Sequence, residues 1–377
     1  MKILSDNLYS TEEVAKFLKV APVTVKRYIS DKKIKSVKIN GLRRFRGEDI
    51  LRLANKENVS NIPIGSRTLD LFAGIGGNRL GFKSAGFQTV YANDFDDYCK
   101  VTYDLNSPDL KLTVADIKEV EASTLPDFDV LLAGFPCQAF SVAGYREGFE
   151  DRKGRGNLFF EIARILEHKK PSVVFLENVK NLRGHDKGKT FRIIEETLQN
   201  LGYHIQYAIL NTMDYSWVPQ NRERIYIVGF RDKKQCSKFK FPEKEPSLKS
   251  VQELLSEDVD GKYYYEGKPL YSRIKDDIKP GGVYQWRRKY VRENKKGVCP
   301  TLTANMGMGG HNVPIIKDKK GIRKLTPLEC ARLQGFPKNY KLPEDIVDSR
   351  LYKQLGNSVS VPVIEAIAKE IKRAISK

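Results

Sequence analysis

The strongest constraint on this chain is a pair of apolar segments that each end in a chemically reactive side chain. Residues 130–133 run into Gly-Phe-Pro-Cys-Gln at residues 134–138, and a second apolar segment at 172–176 runs into Glu177. In α/β enzymes, buried strands end at the sheet edge that carries the site. A thiol and a carboxylate at neighbouring strand ends indicate a nucleophile with a proton donor beside it. Taken alone, Cys137 can equally be a small buried hydrophobic residue. Its Pro and Gln neighbours, and Glu177 at the end of the other segment, favour a catalytic role.

The composition indicates a polyanionic partner and a reducing environment. The 377 residues carry a formal charge of +19 with a pI near 9.5, which is unusual for an enzyme of small molecules. Residues 1–60 hold 14 basic and 7 acidic residues, and residues 231–322 hold 21 and 12, as expected if flanking regions grip phosphates. The cysteines are scattered and form no Cys-x-x-Cys pair: Cys99, Cys137, Cys236, Cys299 and Cys330. We expect no metal site, no membrane span and a cytoplasmic location.

Residues 7–56 have the pattern of a small helix-turn-helix unit with a wing. Ser10 and Glu13 form a capping-box pattern at the start of a first helix, and a second short helix follows. Asn-Gly at residues 40–41, between alternating segments, predicts a hairpin. The candidate DNA contacts lie on the second helix and on the returning strand of the hairpin: Thr24, Lys26, Arg27, Arg43 and Arg44.

This unit resembles the excisionase and MerR-type winged helix-turn-helix family over about fifty residues. The resemblance implies that the second helix enters a major groove while the wing touches the DNA backbone. Residues 1–60 are therefore interpreted as a DNA-binding domain, with a linker at 57–65. The alternative is a small domain that only docks against the rest of the chain.

From residue 67 onward, strand and helix patterns alternate, which predicts an α/β fold with a mostly parallel, doubly wound sheet. Strand-like runs occur at residues 69–72, 88–92, 130–133, 173–176 and 225–228. After residue 230 this rhythm stops, and an amphipathic helix returns at 358–375. We predict a catalytic domain at 66–230, completed by 341–377, and a smaller irregular domain at 231–340.

A glycine-rich turn follows the first predicted strand and indicates a close approach of backbone to a ligand. Its sequence at residues 74–77, Gly-Ile-Gly-Gly, lacks the spacing of dinucleotide sites and disfavours a nicotinamide cofactor. Asp94 ends the second strand and can accept from ribose hydroxyls, and Phe95 can stack on a purine. Asp116 and Ile117 follow a third strand and suit a base edge. Each acid alone can be an ordinary loop residue; in this order they indicate an adenosine site.

Six segments, in order, resemble the cytosine-C5 DNA methyltransferases of bacterial restriction–modification type. They lie at residues 70–77, 134–141, 177–179, 220–224, 323–337 and 354–359. The resemblance implies a Rossmann-like methyltransferase fold with S-adenosylmethionine as cofactor. Carried over by position, the cofactor pocket comprises Phe72, Gly74, Gly76, Asp94, Phe95, Asp116, Ile117, Pro136, Leu158, Asn357 and Ser358. Glutamate is commoner in this family where the chain has Asp94, so the shorter arm requires a closer ribose or a bridging water.

The resemblance also implies a covalent mechanism. Carbon 5 of cytosine is too weak a nucleophile to attack a sulfonium methyl unaided. Addition of the Cys137 thiolate to C6 makes C5 resemble the nucleophilic carbon of an enamine. Glu177 would protonate N3 and Arg224 would contact O2, with Arg222 close to the nucleophile. For both arginines the alternative is a surface ion pair with Glu223. Because the target atom is inaccessible inside a duplex, the base must flip out.

Recognition of DNA is expected from the loop at 139–157 and from the second domain, here interpreted as a target-recognition domain. Around that loop the candidates are Gln138, Ser141 and Arg155. In the second domain, the segment 301–304 with Thr303 and the glycine-rich loop 305–311 is the preferred major-groove reader. Arg287, Arg288 and Arg292 can bind phosphate or read guanine. The recognised bases do not follow from the sequence.

Two other functions stay open on the sequence: an RNA cytosine methyltransferase of the same fold, and a DNA-binding regulator without catalysis. Phe135 before Pro136 and the long 231–320 insertion favour DNA, and the intact catalytic residues argue against a silent regulator. We expect double-stranded DNA as partner and a monomeric methyltransferase. The N-terminal unit is interpreted as binding an operator of its own modification system, with a dimer as the alternative state in that role.

Overall fold

The computed structural model describes residues 3, 7–50, 53, 62–63, 65–136, 158–244, 249–307 and 313–376. The chain divides into two compact units, Met1–Arg67 and Thr68–Lys377, and each has its own buried apolar core. No helix in these described ranges is long and apolar enough to cross a membrane.

The smaller unit is a helix-turn-helix with a three-stranded antiparallel sheet. Its elements are β1 (Leu8–Tyr9), α1 (Thr11–Leu18), α2 (Pro22–Ser30), β2 (Val37–Ile39) and β3 (Leu42–Arg46), with strand order β1-β3-β2. The Glu13 N–H donates to Ser10 Oγ at 3.2 Å, and the Ser10 N–H donates to the Glu13 carboxylate at 2.7 Å, which confirms the capping box. The wing turns at Asn40 (φ +49°) and Gly41 (φ +78°), which confirms the Asn-Gly hairpin.

The larger unit contains a seven-stranded sheet that is parallel except at one strand. Its strands are β4 (Arg67–Leu71), β5 (Gln88–Asp94), β6 (Thr113–Val114), β7 (Val130–Gly134), β8 (Val173–Val179), β9 (His204–Asn211) and β11 (Glu223–Phe230), with β10 (Gln220–Asn221) just before β11. The order is β6-β5-β4-β7-β8-β11-β9, and β11 runs antiparallel to both neighbours. The predicted mostly parallel sheet is confirmed. The sequence does not predict β9, because this edge strand mixes half-buried and exposed side chains.

Helices cover both faces of the seven-stranded sheet, and further short helices lie outside it. They are α3 (Gly77–Ser84), α4 (Asp97–Asn106), α5 (Leu158–Lys169), α6 (Lys189–Asn200), α7 (Thr212–Tyr215), α8 (Lys233–Lys238), α9 (Tyr271–Ile274), α10 (Pro327–Arg332), α11 (Asp348–Asn357) and α12 (Val361–Ile375). Side chains alternate along each strand, so Leu131 packs with α5 and α6 while Leu132 packs with α3 and α12. Val363, Ile367 and Ile371 are buried, which confirms the apolar stripe predicted for the last helix.

The order of the strands reverses between β4 and β7. From β4 the chain moves outward to β5 and β6, then returns to β7 and continues to β8 on the other side. In open α/β sheets, ligands bind outside the carboxyl ends of the strands at such a point. The segments that leave β4 and β7 here are the glycine-rich turn and the one leading to Cys137.

Residues 231–340, predicted to be irregular, contain a small antiparallel sheet around its own apolar cluster. Its strands are β12 (Tyr284–Trp286), β13 (Val291–Glu293), β15 (Ile315–Lys317) and β16 (Ile322–Lys324), in the order β13-β12-β15-β16. Trp286, Ile315 and Ile322 share the cluster with Ile274 of α9. The intervening β14 (Cys299–Pro300) pairs in parallel with β10 in a separate two-stranded sheet, which joins this region to the segment that leads into β11.

Candidate active site

The glycine-rich turn after β4 is held close to the C-terminal segment. Phe72 and Gly76 adopt positive φ (+54° and +85°), and α3 starts at Gly77. A Cβ atom at Gly77 would lie 2.7 Å from Val359 Cγ2 and 2.9 Å from Ser358 Oγ, so only glycine allows this approach. The segment at residues 358–359 therefore lies directly against the start of α3.

Asp94 braces the turn from the end of β5. Its Oδ2 accepts a hydrogen bond from the Gly74 N–H at 2.9 Å, and its Oδ1 accepts from the Asp96 N–H at 3.0 Å. Burial raises the pKa of Asp94, although these hydrogen bonds oppose the shift. Each oxygen keeps a second lone pair, so the carboxylate can brace the turn and also accept from a ligand hydroxyl. The next residue, Phe95, is 73% exposed and leaves its ring open to stacking.

The other predicted cofactor residues divide between surface and core. Asp116 is exposed, and its Oδ1 accepts from the Lys118 N–H at 3.0 Å. Ile117 is 3% exposed and packs in the main core, which leaves its side chain unavailable to a ligand. At the remaining positions the exposed residues are Pro136 and Asn357, and the half-buried ones are Leu158 and Ser358.

The predicted nucleophile Cys137 lies outside the described residues. So do the predicted DNA contacts Gln138, Ser141 and Arg155, and the loop 139–157. Their roles stay predictions.

Glu177 lies at the carboxyl end of β8, directly beside the end of β7. The parallel register pairs it with Gly134, where a Cβ atom would lie 3.5 Å from Glu177 Oε2. Asn178 Nδ2 donates to the Phe135 carbonyl at 2.7 Å and fixes the chain two residues before Cys137. The two strand ends that the sequence pairs are therefore neighbours.

Arg224 is the partner of Glu177. Because β11 is antiparallel to β8, its first residues reach the carboxyl end of β8, and Arg224 Nε lies 3.1 Å from Glu177 Oε1. Burial raises the pKa of Glu177, while Arg224 and Arg222 oppose the shift. A raised pKa favours the protonated form that a proton donor needs. The alternative of a surface pair with Glu223 fails for Arg224, because the Glu223 carboxylate pairs with Lys180.

Arg222 is 2% exposed and joins three backbone segments. Its Nη1 donates to the Leu302 carbonyl at 2.8 Å, and its Nη2 donates to the Ser358 carbonyl and, at 3.4 Å, to that of Gly356. Burial lowers the pKa of Arg222 to about 9, and the charge of Arg224 adds to this effect. These contacts are those of a positioning residue between the predicted cofactor segment and the segment 301–304.

Two buried glutamines extend this junction, and sequence reasoning missed both. Gln220 Nε2 donates to the Leu333 carbonyl at 2.5 Å, and Gln334 Nε2 donates to the Leu355 carbonyl at 2.9 Å. The available signal was the spacing of Gln220, Arg222 and Arg224, which recur every second residue as on one face of an extended segment.

Asp70 is a further residue to which the sequence assigned no role. It lies fully buried on β4, between Leu69 and Leu71. Burial raises the pKa of Asp70 to about 7. The available signal was an acid between Leu69 and Leu71 in an otherwise apolar strand. No group of His, Cys, Asp or Glu among the described residues has the arrangement of a metal site.

The predicted DNA contacts occupy two surfaces. The N-terminal unit carries Thr24, Lys26 and Arg27 on α2 and Arg43 and Arg44 on β3, all exposed or half-exposed. In the larger unit, Arg287 and Arg288 are exposed between β12 and β13. Thr303 is half-buried, and its hydroxyl donates to Asn305 Oδ1 at 2.7 Å.

The family is decided by comparison with known proteins. The model of the family described as C-5 cytosine-specific DNA methylase matches residues 66–373, and a helix-turn-helix domain model matches residues 8–58. The chain belongs to the C-5 cytosine-specific DNA methylase family. The predicted family, the enzyme class and the N-terminal helix-turn-helix are confirmed.

Similar proteins extend over most of the chain. The Type II methyltransferase M.Bsp6I of Bacillus sp. (strain RFL6) is 54% identical over 311 residues, covering 81% of this chain and 98% of its own. M.HhaI of Haemophilus parahaemolyticus is 38% identical over 328 residues, covering 83% and 96%. Among solved structures, a Spodoptera frugiperda DNMT2 mutant has a TM-score of 0.64 at 22% identity and covers 81% of this chain and 99% of its own. This likeness confirms the α/β methyltransferase fold.

Proposed function

We propose that this enzyme is the modification methyltransferase of a Type II restriction–modification system and methylates C5 of a cytosine in double-stranded DNA. Relatives named Type II methyltransferases and the charge of +19 support this. The observation that carries the proposal is the buried Glu177–Arg224 pair beside the end of β7. It sets an acid and a fixed cation next to the segment that leads to Cys137.

S-adenosylmethionine is the proposed cofactor, and it supplies, when bound, a methyl group on a positively charged sulfur. The residues at the turn fit such a molecule: no atom lies within 4 Å of a Cβ built on Gly74, Asp94 keeps free lone pairs, and Phe95 exposes its ring. The turn with Phe72, Gly74 and Gly76 would hold the cofactor together with Asp116, Pro136, Leu158, Asn357 and Ser358. At Ile117 only the backbone remains for this role.

The proposed chemistry begins with the thiolate of Cys137, which forms a bond to C6 of a flipped-out cytosine. The electrons of the 5,6 double bond move into the ring as N3 takes a proton from Glu177, and Arg224 donates to O2. The electron pair at C5 would then form the bond to the methyl carbon as the carbon–sulfur bond breaks, and the bond's electrons would stay on the sulfur as a neutral thioether. Loss of the C5 proton to water or hydroxide expels the Cys137 thiolate, restores the double bond, and returns the N3 proton to Glu177.

We propose a division of labour along the chain. Residues 66–230 with 341–377 perform the chemistry, and residues 231–340 recognise the target. Residues 1–60 bind an operator that controls the synthesis of the modification system, through α2 in a major groove and the wing on the DNA backbone. The enzyme methylates DNA as a monomer in the cytoplasm.

A mechanism-based trap tests the catalytic proposal. Bisulfite sequencing of DNA from cells that express the protein first gives the methylated sequence. A duplex with 5-fluorocytosine at the target position should then form a stable adduct at Cys137. Cys137→Ser should keep cofactor binding and form no adduct, whereas Cys236→Ser, remote from the strand ends, should behave as wild type. Modification of transfer RNA in place of duplex DNA would contradict the proposed substrate.

Deletion of residues 1–60 tests the proposed regulatory role. The truncated enzyme should lose binding to DNA upstream of its own coding sequence and retain methylation. An equal loss of both activities would contradict a separate operator-binding function.

A further inference from the structure

The hairpin of β12 and β13 presents a basic tip on a well-packed base. Tyr284 and Trp286 are buried in the apolar cluster of the small sheet, and Trp286 pairs with Val291. Beyond this pair, residues 287–290 (Arg-Arg-Lys-Tyr) are all exposed, and Tyr290 is 58% exposed. Cations beside an exposed tyrosine form a surface typical of binding sites.

Arg288 has a backbone conformation that arginine disfavours. The Arg287 N–H donates to the Tyr290 carbonyl at 2.9 Å and closes the turn, and Arg288 adopts φ +67°. Hairpin turns of type II′ place glycine at the corresponding position, because a Cβ atom is strained there. The turn alone therefore favours glycine, and the arginine is explained by what its side chain does. Backbone strain of this kind concentrates at ligand-binding sites.

Backbone hydrogen bonds connect the base of the hairpin to the catalytic edge. The Asn294 N–H donates to the Val283 carbonyl at 2.8 Å, and Asn294 Nδ2 donates to the Val298 carbonyl. The Cys299 N–H donates to the Pro219 carbonyl at 2.7 Å, just before the catalytic-edge arginines. From this base to the tip the ribbon spans roughly five residues, or ~17 Å. The base of the hairpin is thus tied to the segment that leads into β11.

A basic cleft of about 350 Å³ lies beside β13. Three cations and one acid line it together with neutral residues: Arg292, Lys295, Lys296, Glu293, Asn221, Asn294 and Val298. Such a cleft suits a DNA phosphate, and phosphate contacts fix the register of a protein on the duplex. The major groove is ~12 Å wide and admits a two-stranded β-ribbon.

We propose that this hairpin enters the major groove and that Arg288 is a specificity-determining residue, with its guanidinium donating two hydrogen bonds to a guanine of the recognition sequence. The inference rests on the proposed function and names the part that reads the substrate. It assigns the leading role to the tip and not to Thr303, whose hydroxyl already donates to Asn305.

The variant R288G tests this role without a risk of misfolding. Duplexes with the sequence found by bisulfite sequencing, and its single-base variants, are compared by kcat/KM in the full-length enzyme. Discrimination at one G·C pair should fall on the order of ten- to a hundred-fold. The unfolding temperature should rise by about 1–3 °C, because glycine relieves the strain. A merely structural residue would not combine higher stability with lower discrimination.

Three matched variants complete the design. R288A removes the guanidinium but keeps the Cβ atom, so discrimination should fall as in R288G with no rise in unfolding temperature. R288K keeps the charge but loses the planar fork, so discrimination should fall while the salt dependence of binding is retained. R273A removes an exposed arginine from α9 and should leave discrimination unchanged.

Two results would overturn the inference. One is unchanged discrimination in R288A. The other is a uniform loss of affinity for all sequences with a salt slope reduced by about one, which is the signature of a phosphate contact. A wild-type enzyme that methylates no DNA would refute the proposed function itself, so the two failures are distinguishable.

Discussion

Beside the carboxyl end of β8, Arg222 is 2% exposed and the Arg224 side chain is 13% exposed, and their guanidinium groups contact backbone carbonyls and Glu177. At the tip of the β12–β13 hairpin, Arg287 and Arg288 are exposed, and the backbone of Arg288 is strained. The buried arginines are accounted for by contacts within the protein. For the exposed pair, we infer a partner outside it.

This difference teaches how each set should respond to substitution. A buried polar group that loses its partner leaves an unsatisfied donor or acceptor, so stability and activity change together. An exposed charge contributes little to stability, so its removal changes recognition alone. Variants in the two regions should therefore separate into two classes.

Glu177→Gln should have the largest effect and tests the buried class. The amide keeps the shape but supplies no acidic proton, so kcat should fall by about 10²–10⁴-fold, with cofactor affinity nearly unchanged. Single-turnover transfer of labelled methyl groups and calorimetric cofactor titration measure the two quantities. Glu223→Gln, at a partly exposed carboxylate paired with Lys180, is the matched control and should stay near wild type. A Glu177→Gln rate within tenfold of wild type would remove Glu177 as proton donor.

Arg222→Met should destabilise the larger unit by about 2–4 kcal/mol, since it leaves the carbonyls of Leu302 and Ser358 buried without their donor. Cofactor affinity should fall as well, because Ser358 lies at the glycine-rich turn. Denaturant unfolding of the full-length enzyme measures the first effect. Arg287→Met removes the same charge from the exposed tip and should change stability by less than ~0.5 kcal/mol. Equal stability of the two variants would erase the distinction between the two sets of arginines.

Asp70→Asn should raise the unfolding temperature, and the size of this increase should depend on pH. Burial raises the pKa of Asp70 to about 7, so the folded state keeps a proton that the unfolded state releases near its ordinary pKa of about 4. Wild-type stability is then fully present below pH ~4 and is lost as the pH rises towards 7. The variant cannot ionise and should unfold at a higher temperature than wild type at pH 8, with the difference vanishing near pH 4.

The control for this prediction is Asp109→Asn, which should act in the opposite direction. Arg79 lies 2.5 Å from Asp109 and lowers the pKa of that carboxyl group. The ionised form therefore contributes stability above the unfolded pKa, and Asp109→Asn should unfold at a lower temperature than wild type at pH 8. An identical pH profile for Asp70→Asn and wild type would show that Asp70 does not ionise in the folded protein.

Local patterns predicted the elements whose cause is local. The capping box at Ser10, the turn at residues 40–41 and the central strands follow from the identity and spacing of neighbouring residues. The edge strand β9 was not predicted, because it lacks the continuous apolar pattern of a central strand. The hairpin of β12 and β13 was not predicted, because an arginine is not expected at the positive φ that residue 288 adopts in the turn. Such local conflict is expected where function overrides folding preference.

The part of the candidate site that lies at the ends of parallel strands could be predicted from the sequence. The pairing of the strand ends at residues 134 and 177 follows from the α/β pattern, whereas the pairing of Glu177 with Arg224 depends on β11 running antiparallel. The contacts of Arg222 join residues 80 and 136 positions away, which no local pattern encodes. The complete burial of Asp70 likewise depends on packing across the whole sheet.

Gly41→Ala should have the smallest effect. It adds a Cβ atom at a positive φ, whereas R288G removes one, so the two variants test backbone strain in opposite directions. At φ +78° no atom lies within 4 Å of a Cβ built on Gly41, so the cost is backbone strain alone, ~1 kcal/mol confined to the N-terminal unit. Amide exchange of β2 and β3 in the full-length protein should accelerate about fivefold, with methylation unchanged. Asn40→Gly, also at positive φ, should be tolerated as the control. Both turns have positive φ, so glycine is the more stable residue in each. At residue 41 nothing opposes glycine, whereas at residue 288 the proposed DNA contact requires arginine. If neither Gly41→Ala nor R288G shifts stability, backbone strain does not distinguish the two hairpins, and the reason given for an arginine at the tip disappears.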